Sequence, residues 1–543
     1  MLTLSTDIGV ESGAILALAR AGNSLLAAGR IEEAEQALEL GVLLEDAGPS
    51  GVPGAGEVRF TLANLLHAQG RHAEAAAQYE ALLLRQPEHT EAHYNLGVTE
   101  LLRGRIGEAA SSYRRVLQLD PSHANAHNNL ALLLESFATE PEAHAEALAH
   151  FRASGSAEAR YNLALLLHER GATNEAAAIY RSLLAEDGGH LEARNNLGNI
   201  ALFEGRPADA LAEYRRILAL DPQFVEGHHN AAMAELFLGN FTQGFREYEW
   251  RFRRKPMRNS DPASKLWDGS DLAGQTILLQ AEQGIGDTIQ FLRFVPMVAA
   301  MGGNVILESQ RPVAELAASV SGLTTVIPRG DALPPHDVHC PLMSLPYRLG
   351  VTLEDLPNAV PYLSAIPDRV ANWRRRIRLI SGEDELRVGL AWSGNPNYKD
   401  NARRSVPPGF FEVFSGLEGI RWFGLQKDQA NVQIPGLHME WLERSETTFS
   451  DAAAIVANLD LVISVDTSIA HLAGALARPV WLLTAHTPDW RWMLDREDSP
   501  WYPTMRLFRQ PEHGAWRPVI ERIRERLQAL MRGGRTPDGL AAE

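Results

Sequence analysis

The stretch Leu461–Thr484, LVISVDTSIAHLAGALARPVWLLT, reads as a strand, a sharp turn, a helix and a second strand. Leu461–Val465 and Val480–Leu483 are short and, apart from Ser464, apolar, as strands buried on both faces are, and a helix between two such strands makes them parallel. Asp466, Thr467 and Ser468 fill the turn, where unpaired backbone N–H groups and the helix dipole favour an anion such as a pyrophosphate. Two local roles compete with that reading. Asp466 equally suits a helix cap, and His471, one turn in, suits packing or support of a neighbouring group.

The same alternation extends outward from Gln275 to the end of the chain. Further strands are expected at Ile277–Ala281, Val305–Glu308, Val388–Trp392 and Trp422–Leu425, and an Arg-rich helix over Asp368–Leu379 is expected to bridge two lobes, each a small doubly wound sheet. Ligands of such sheets bind beyond the carboxyl ends of the strands. The first strand runs into Glu282-Gln283-Gly284-Ile285-Gly286-Asp287, where Gly284 and Gly286 permit close backbone approach to a ligand. Position 289 is isoleucine, so the GxGxxG dinucleotide fingerprint fails and an NAD enzyme is disfavoured. Asp287 opens the helical stretch TIQFLRF; it is either an N-cap and nothing more, or a carboxylate placed in an interlobe cleft to take a proton from an acceptor hydroxyl.

The first half of the chain is of another kind. All 11 tryptophans of the 543 residues lie at or after Trp250, and the four lysines begin at Lys255, so the composition changes near residue 250. Before that point the chain is dense in Ala, Leu and Glu, and Leu62, Leu96, Leu130, Leu163, Leu197 and Ala231 recur at spacings of 34, 34, 33, 34 and 34. Gly70, Gly104, Gly171, Gly205 and Gly239 mark turns in the same phase, Ala75, Ala109, Ala176 and Ala210 mark close helix contacts, and Tyr79, Tyr113, Tyr180, Tyr214 and Tyr248 complete the pattern. A formal charge of −17 argues against nucleic-acid binding. The single cysteine, Cys340, permits no internal disulfide and fits a small buried hydrophobe. No apolar run is long enough to span a bilayer and the start shows no export signal, so a cytoplasmic protein is the expectation.

The 34-residue pattern resembles the tetratricopeptide (TPR) repeat over residues 57–250, with a weaker copy before it in which Gly29 and Ala34 stay in phase. The resemblance implies stacked helix pairs forming a solenoid that holds an extended protein or peptide partner. Asn95, Asn129, Asn162, Asn196 and Asn230 form a row at one repeat position, each with a donor and an acceptor suited to a peptide backbone, or else solvated or bonded locally. His93, His127, Arg160, Arg194 and His228 lie two positions earlier, where they would present partial positive charge to an acidic segment; their repeat spacing separates the imidazoles and speaks against a metal.

The GIGD turn together with SVDTSIAHLAGAL resembles glycosyltransferase family 9, the heptosyltransferases, over roughly residues 275–530. The resemblance implies a GT-B fold and an inverting reaction with Asp287 as base. It also implies donor phosphates bound at Asp466-Thr467-Ser468, with His471 in the family's histidine position; serine stands where the family has glycine. No DxD metal motif occurs, so protein cations are expected to offset the leaving diphosphate, and Arg404 and Lys427 are the choices, each with surface solvation as the alternative. Trp490, Trp492 and Trp501 are expected as a sugar-stacking wall or as core, and Asp451 as an N-cap.

The expected fold class is thus multidomain, an all-α TPR solenoid followed by an α/β GT-B unit of two Rossmann-like lobes. The expected scheme is a helical cap or degenerate repeat at 1–56, solenoid at 57–252, linker at 253–272, amino-terminal lobe at 273–366, carboxy-terminal lobe at 367–530 and a disordered tail at 531–543. The expected activity is metal-independent transfer of a sugar from a nucleotide-diphosphate donor, ADP- or UDP-linked, to an acceptor hydroxyl, with no cofactor. A protein in the repeat groove is one form of acceptor, by analogy with the repeat-plus-GT-B layout of O-GlcNAc transferases. The alternative is a catalytically silent scaffold that retains a nucleotide-sugar-binding unit.

Overall fold

The structure, a computed structural model, describes residues 8–47, 55–137, 140–255, 264–397, 401–426, 432–442 and 448–533. The chain divides into two compact units, Met1–Ala193 and Arg194–Glu543, and the division falls inside the helix Leu191–Phe203.

The first unit is a stack of antiparallel helix pairs. The Ile8–Ala27 and Ile31–Ala47 helices make an ordinary pair despite their weak repeat pattern, and four further pairs follow from Ala55–Ala68 to Thr173–Glu186. Glycine closes the turn within most pairs: Gly29, Gly70, Gly104 and Gly171 have φ of 71°, 77°, 75° and 81°, the left-handed region in which a Cβ is penalised. Ala75, Ala109 and Ala176 are fully buried at the helix contacts, and Tyr79, Tyr113 and Tyr180 fill the space between pairs. Gly97 serves that packing too, since a Cβ there would lie 2.7 Å from the Tyr113 ring.

The second unit begins with two more helix pairs, Leu191–Phe203 with Pro207–Leu220 and Val225–Phe237 with Phe241–Tyr248, and ends with two parallel sheets. In the first sheet β1 (Lys265–Leu266), β2 (Thr276–Gln280), β3 (Asn304–Ser309), β4 (Leu323–Pro328) and β5 (Val338–Pro341) lie in the order β1-β5-β2-β3-β4. In the second, β6 (Leu386–Ala391), β7 (Ile420–Gly424), β8 (Met439–Trp441), β9 (Leu461–Val465), β10 (Val480–Thr484) and β11 (Met505–Arg509) lie in the order β11-β10-β9-β6-β7-β8. The Pro367–Arg378 helix stands between them in sequence, where the Arg-rich pattern predicts it. Each predicted strand is present within two residues of its expected start.

Differences from the sequence reading lie at margins and in weak strands. Residues 265–266, expected in a linker, form β1 at the sheet edge beside β5. The chain-end helix Trp516–Gly533 runs past the expected start of the tail at 531, and 534–543 lie outside the described residues. Strands β4, β5, β8 and β11 escaped prediction: β8 has three residues and β5 four, too few for a period to register, and β4 carries Thr324 and Thr325 on exposed positions.

The last two helix pairs share a core with the lobes. Phe241 and Phe245 pack against Trp490, with ring centroids 6.2 and 5.7 Å apart, and Phe241 stacks on Trp501 at 5.7 Å. The His513 ring lies parallel to Phe203 at 4.3 Å, and the Thr487 hydroxyl donates to the Phe203 carbonyl at 2.6 Å. The last pair is therefore part of the α/β unit's hydrophobic core, and the pair before it packs against that core through Leu202. Among the described residues no helix is long and apolar enough to cross a membrane.

Candidate active site

Both signature turns leave the carboxyl ends of central strands, β2 and β9, and a cleft of about 1030 Å³ lies between them. Its walls carry Gly284, Gly286 and Asp287 from the first lobe and Arg404, Asp466, Thr467, Ser468 and His471 from the second, so every described residue of the expected donor and base set opens on one cavity. Lys427 lies outside the described residues. The turns touch: a Cβ added at Gly286 would lie 3.0 Å from His471 Cδ2 and 3.6 Å from Ser468 Cα. Gly286 is thus small because the opposing turn occupies the space a side chain needs.

On the β9 side, Thr467, with extended φ and ψ of −141° and 170°, is the N-cap of the Ser468–Ala475 helix, which corrects the cap role open to Asp466. The first N–H groups of this helix have no acceptor within it and face the cleft with its positive dipole end. Burial raises the Asp466 carboxyl, but His471, whose Nε2 lies 3.7 Å from Asp466 Oδ1, reverses that with smaller help from Trp492 and Arg404, and the carboxyl titrates below the usual range. His471 is buried, its Nδ1 is 3.0 Å from the Tyr502 hydroxyl, and its ring stacks on Trp492. Arg404 is half-buried and its Nε donates to Asn401 Oδ1 at 3.4 Å. A Cβ at Gly394, in the WSGNP loop after β6, would meet the Arg404 guanidinium and displace the end of that side chain.

On the β2 side the cap assignment also changes. Asp287 is the third residue of the Ile285–Phe291 helix and Gly284 is its N-cap; Asp287 Oδ2 accepts from the Gly284 N–H at 2.9 Å. Its Oδ1 accepts from Arg491 Nη2 at 2.5 Å. Arg491 comes from the other lobe and is buried. It also donates to Asp489 Oδ1 at 2.7 Å and to Gln290 Oε1 at 2.5 Å, and the two carboxylates hold its guanidinium charged against the cost of burial. The loop carrying it bends at Met493, a non-glycine residue with φ of 47°. Asp451 shows the same displaced cap as Asp287: Thr448 caps the Phe449–Val456 helix, and Asp451 is its third residue, also 3.0 Å from Arg369.

Five further groups of the cleft, Glu282, Arg251, Tyr248, His229 and Arg491, were given no role in it from the sequence. Glu282 begins the turn after β2, and its Oε1 accepts from Arg251 Nε at 3.0 Å and Nη2 at 2.7 Å, while Oε2 is buried without a hydrogen-bond partner. Arg251, Tyr248 and His229 come from the last repeat and line the same cavity; the Tyr248 hydroxyl accepts from Gln283 Nε2 at 2.5 Å. The signal for Arg491 lay in PDWRWMLDREDSPWYP, where the tryptophans drew attention instead. Trp492 and Trp501 are fully buried and belong to the core, which removes them from a sugar-stacking wall, whereas Trp490 does line the cleft. For the residues borne on repeats, no pattern in the sequence connects residue 251 with residue 282.

The asparagine row is half-buried, and the amide donors of four of its members are engaged within the repeats. Asn95 Nδ2 donates to Asn64 Oδ1 at 2.9 Å, Asn129 to the Tyr94 hydroxyl at 3.2 Å, Asn162 to Asn128 Oδ1 at 3.1 Å, and Asn230 to Asn195 Oδ1 at 2.9 Å. Asn196 Oδ1 lies 3.5 Å from Asn199 Nδ2. Of the side chains two positions earlier, His127, His228 and His93 donate from Nε2 at 3.0 Å to the Pro121, Pro222 and Pro87 carbonyls, and Arg160 and Arg194 pair with Glu186 and Glu213.

Family models agree with this division of the chain. Tetratricopeptide repeat models match residues 19–78, 60–124, 103–154 and 167–236, and the model of glycosyltransferase family 9 (heptosyltransferase) matches residues 439–515. Protein FlbA of Caulobacter vibrioides is 27% identical over 311 residues, 52% of this chain and 51% of that protein, so the chain spans about half the length of the curated relative it matches. A glycosyltransferase family 9 structure from Veillonella parvula is 10% identical, covering 45% of this chain and 88% of that one, with a TM-score of 0.36. A tetratricopeptide repeat protein from Parabacteroides merdae is 17% identical, covering 46% of this chain and 95% of that one, with a TM-score of 0.35. Tetratricopeptide repeat models thus match the first part of the chain and the glycosyltransferase family 9 model a segment of the second.

Proposed function

We propose that the protein is an inverting glycosyltransferase that moves a sugar from a nucleoside-diphosphate donor to an acceptor hydroxyl without a metal ion. One observation carries the reading: the GIGD turn and the Asp466-Thr467-Ser468 turn, 180 residues apart in sequence, line one cavity and pack so closely that a Cβ added at Gly286 would lie 3.6 Å from Ser468 Cα. The cavity volume suits a nucleotide sugar together with part of an acceptor. In the proposed reaction the acceptor oxygen attacks the anomeric carbon from the face opposite the diphosphate. The bond to the diphosphate breaks and its electron pair leaves on the phosphate oxygen. The amino end of the Ser468–Ala475 helix and Arg404 receive that charge, a role also proposed for Lys427. Asp466, kept anionic and held by His471, fixes the turn. The first-lobe turn supplies the carboxylate that takes the acceptor proton, and Asp287 is the member the family motif nominates. The repeats are proposed to hold the acceptor's carrier, of which a protein segment is one form, with the asparagine row contributing carbonyl oxygens more than amide donors.

Titration of the full-length protein with ADP, UDP, GDP and TDP tests the donor site. One of them is expected to raise thermal stability, by about 2.7 kcal/mol at 100 times its dissociation constant. Ser468→Pro removes a single N–H at the first helical position, where proline is tolerated and the preceding extended Thr467 suits it. Losing one hydrogen bond to a charged phosphate is expected to weaken that nucleotide by about 10- to 100-fold. Absence of a shift with all four nucleotides, or unchanged affinity in Ser468→Pro, overturns the assignment.

A further inference from the structure

The first-lobe turn carries two carboxylates, and they differ in what occupies them. Asp287 accepts the Gly284 N–H on one oxygen and the Arg491 guanidinium on the other. Each Asp287 oxygen therefore already has a donor, and the guanidinium that fills Oδ1 is buried and shared with Asp489. Glu282 is arranged in the opposite sense. Both Arg251 donors fall on Oε1, and Oε2 is left unpartnered in the wall of the cleft. A buried carboxylate oxygen without a donor is costly in a structure whose only purpose is stability, so a hydroxyl donor from a bound molecule is the natural complement.

We propose that Glu282 is the group that receives the acceptor's hydroxyl proton, on Oε2, while Asp287 is a positioning residue that locks the turn against the second lobe through Arg491. The inference rests on the transferase reading. In the step, the acceptor O–H bond breaks and its proton passes to Glu282 Oε2. The oxygen's electron pair forms the bond to the anomeric carbon as the bond to the diphosphate breaks. The charged groups around Glu282 are Arg251 and Glu249 from the end of the last repeat and Asp287 from its own turn, with the Tyr248 hydroxyl beside them. Burial pushes the Glu282 carboxyl up to about 7, and Glu249 and Asp287 add to the rise while Arg251 opposes it. A carboxylate poised there is matched to proton transfer at neutral pH. Because Arg251 is borne on the repeat array, the array also sets the proton acceptor.

The test uses the full-length protein with ADP-glucose and UDP-glucose as probes, water serving as acceptor and released nucleoside diphosphate as the readout, alongside an infrared titration of the carboxyl band. The wild-type rate is expected to rise through about pH 7, since Glu282 must be deprotonated to act. Glu282→Gln is expected to lower kcat by roughly 10²- to 10⁴-fold with ADP and UDP affinity unchanged, and Glu282→Asp to recover part of the loss. The infrared difference between wild type and Glu282→Gln is expected to show a protonated carboxyl that vanishes near neutral pH. Asp287→Asn is expected to weaken nucleotide affinity as well as kcat, because it frees both the turn and Arg491. Unchanged kcat in Glu282→Gln, or, where wild-type hydrolysis is below detection, no infrared band titrating near neutral pH, overturns the inference and leaves the donor site standing. Failure of the wild type to bind either nucleotide overturns the transferase reading and this inference with it.

Discussion

Leu84 and Leu102, on repeats before Ala193, are 84% and 58% exposed, whereas Phe241 and Phe245, on the last repeat, are each 1% exposed. The repeat register makes the contrast sharper. Three residues before the packing tyrosine, the first-unit repeats carry Ala76, Ala110 and Ala177, and the last repeat carries Phe245; seven residues before it they carry His72, Ile106 and Thr173, and the last carries Phe241. The turn glycine, the small contact residue and the tyrosine are common to the repeats compared, so their helix pairs form in the same way. What differs is the volume of a few side chains. In the first unit an apolar face is covered by the next copy of the same pair. In the second, the aromatic side chains join Phe291, Trp490 and Trp501 in the core of the α/β unit, and Arg251 follows them to Glu282.

Giving the last repeat the residue of the first-unit repeats is the strongest way to break this contrast. Phe245→Ala leaves a cavity beside Phe291 and Trp490 and is expected to destabilise the second unit by about 3–5 kcal/mol. Leu84→Ala in the first unit is expected to change stability by no more than about 0.5 kcal/mol. Because all 11 tryptophans lie at or after Trp250, urea unfolding followed by tryptophan fluorescence reports the second unit alone. A Phe245→Ala shift below about 1 kcal/mol would show that the last repeat is held like the others and not by the shared core.

This contrast also marks what the sequence could convey. A period of 34 residues is repeated often enough to be read with confidence about each element, and the two nucleotide-type turns are compact in sequence, so their residues were found and meet in one cleft. The site's remaining groups depend on approaches between distant segments. Arg491 meets Asp287 across 204 residues and Arg251 meets Glu282 across 31, through lobe closure and repeat docking that no local pattern encodes. Capping was legible in kind but not in register: Asp287 and Asp451 occupy the third helical position, where a carboxylate reaches back to the cap's N–H, because Gly284 and Thr448 had already ended the extended segment. Trp492 and Trp501 were ambiguous for a different reason, since an aromatic run looks the same whether it faces a sugar or a core.

His229 sharpens the comparison through pH. It occupies the position filled by Tyr94, Asn128, Tyr161 and Asn195 in earlier repeats, and here burial, with repulsion from Arg254 and Arg251, lowers the imidazole to about 4. The unfolded chain takes up this proton below about pH 6.5 and the folded chain does not until about pH 4, so His229 withdraws stability as the pH falls between those values. His229→Asn, which installs the residue of Asn195, is expected to make the second unit about 2 kcal/mol less sensitive to a drop from pH 7 to pH 4.5. Fluorescence-detected urea titrations at the two pH values measure this. Equal pH dependence in both proteins would mean that the imidazole is protonated in the folded cleft.

The smallest expected effect is in the asparagine row of the first unit, and it separates the two roles open to that row. Asn162 Nδ2 donates to Asn128 Oδ1 at 3.1 Å, and Asn128, itself buried, donates onward to Glu158 Oε1 at 3.3 Å. Asn162→Ala therefore leaves a buried carbonyl oxygen unsatisfied and is expected to cost about 1 kcal/mol in the first unit. Circular dichroism at a helix band, under conditions that leave the tryptophan signal native, reads that unit. If the carboxamide exists to hold a partner's backbone and contributes nothing between repeats, Asn162→Ala will unfold at the same urea concentration as the wild type. A loss near 1 kcal/mol instead assigns the donor half of the row to joining consecutive repeats. That leaves its oxygens as the groups able to meet an extended chain's N–H donors.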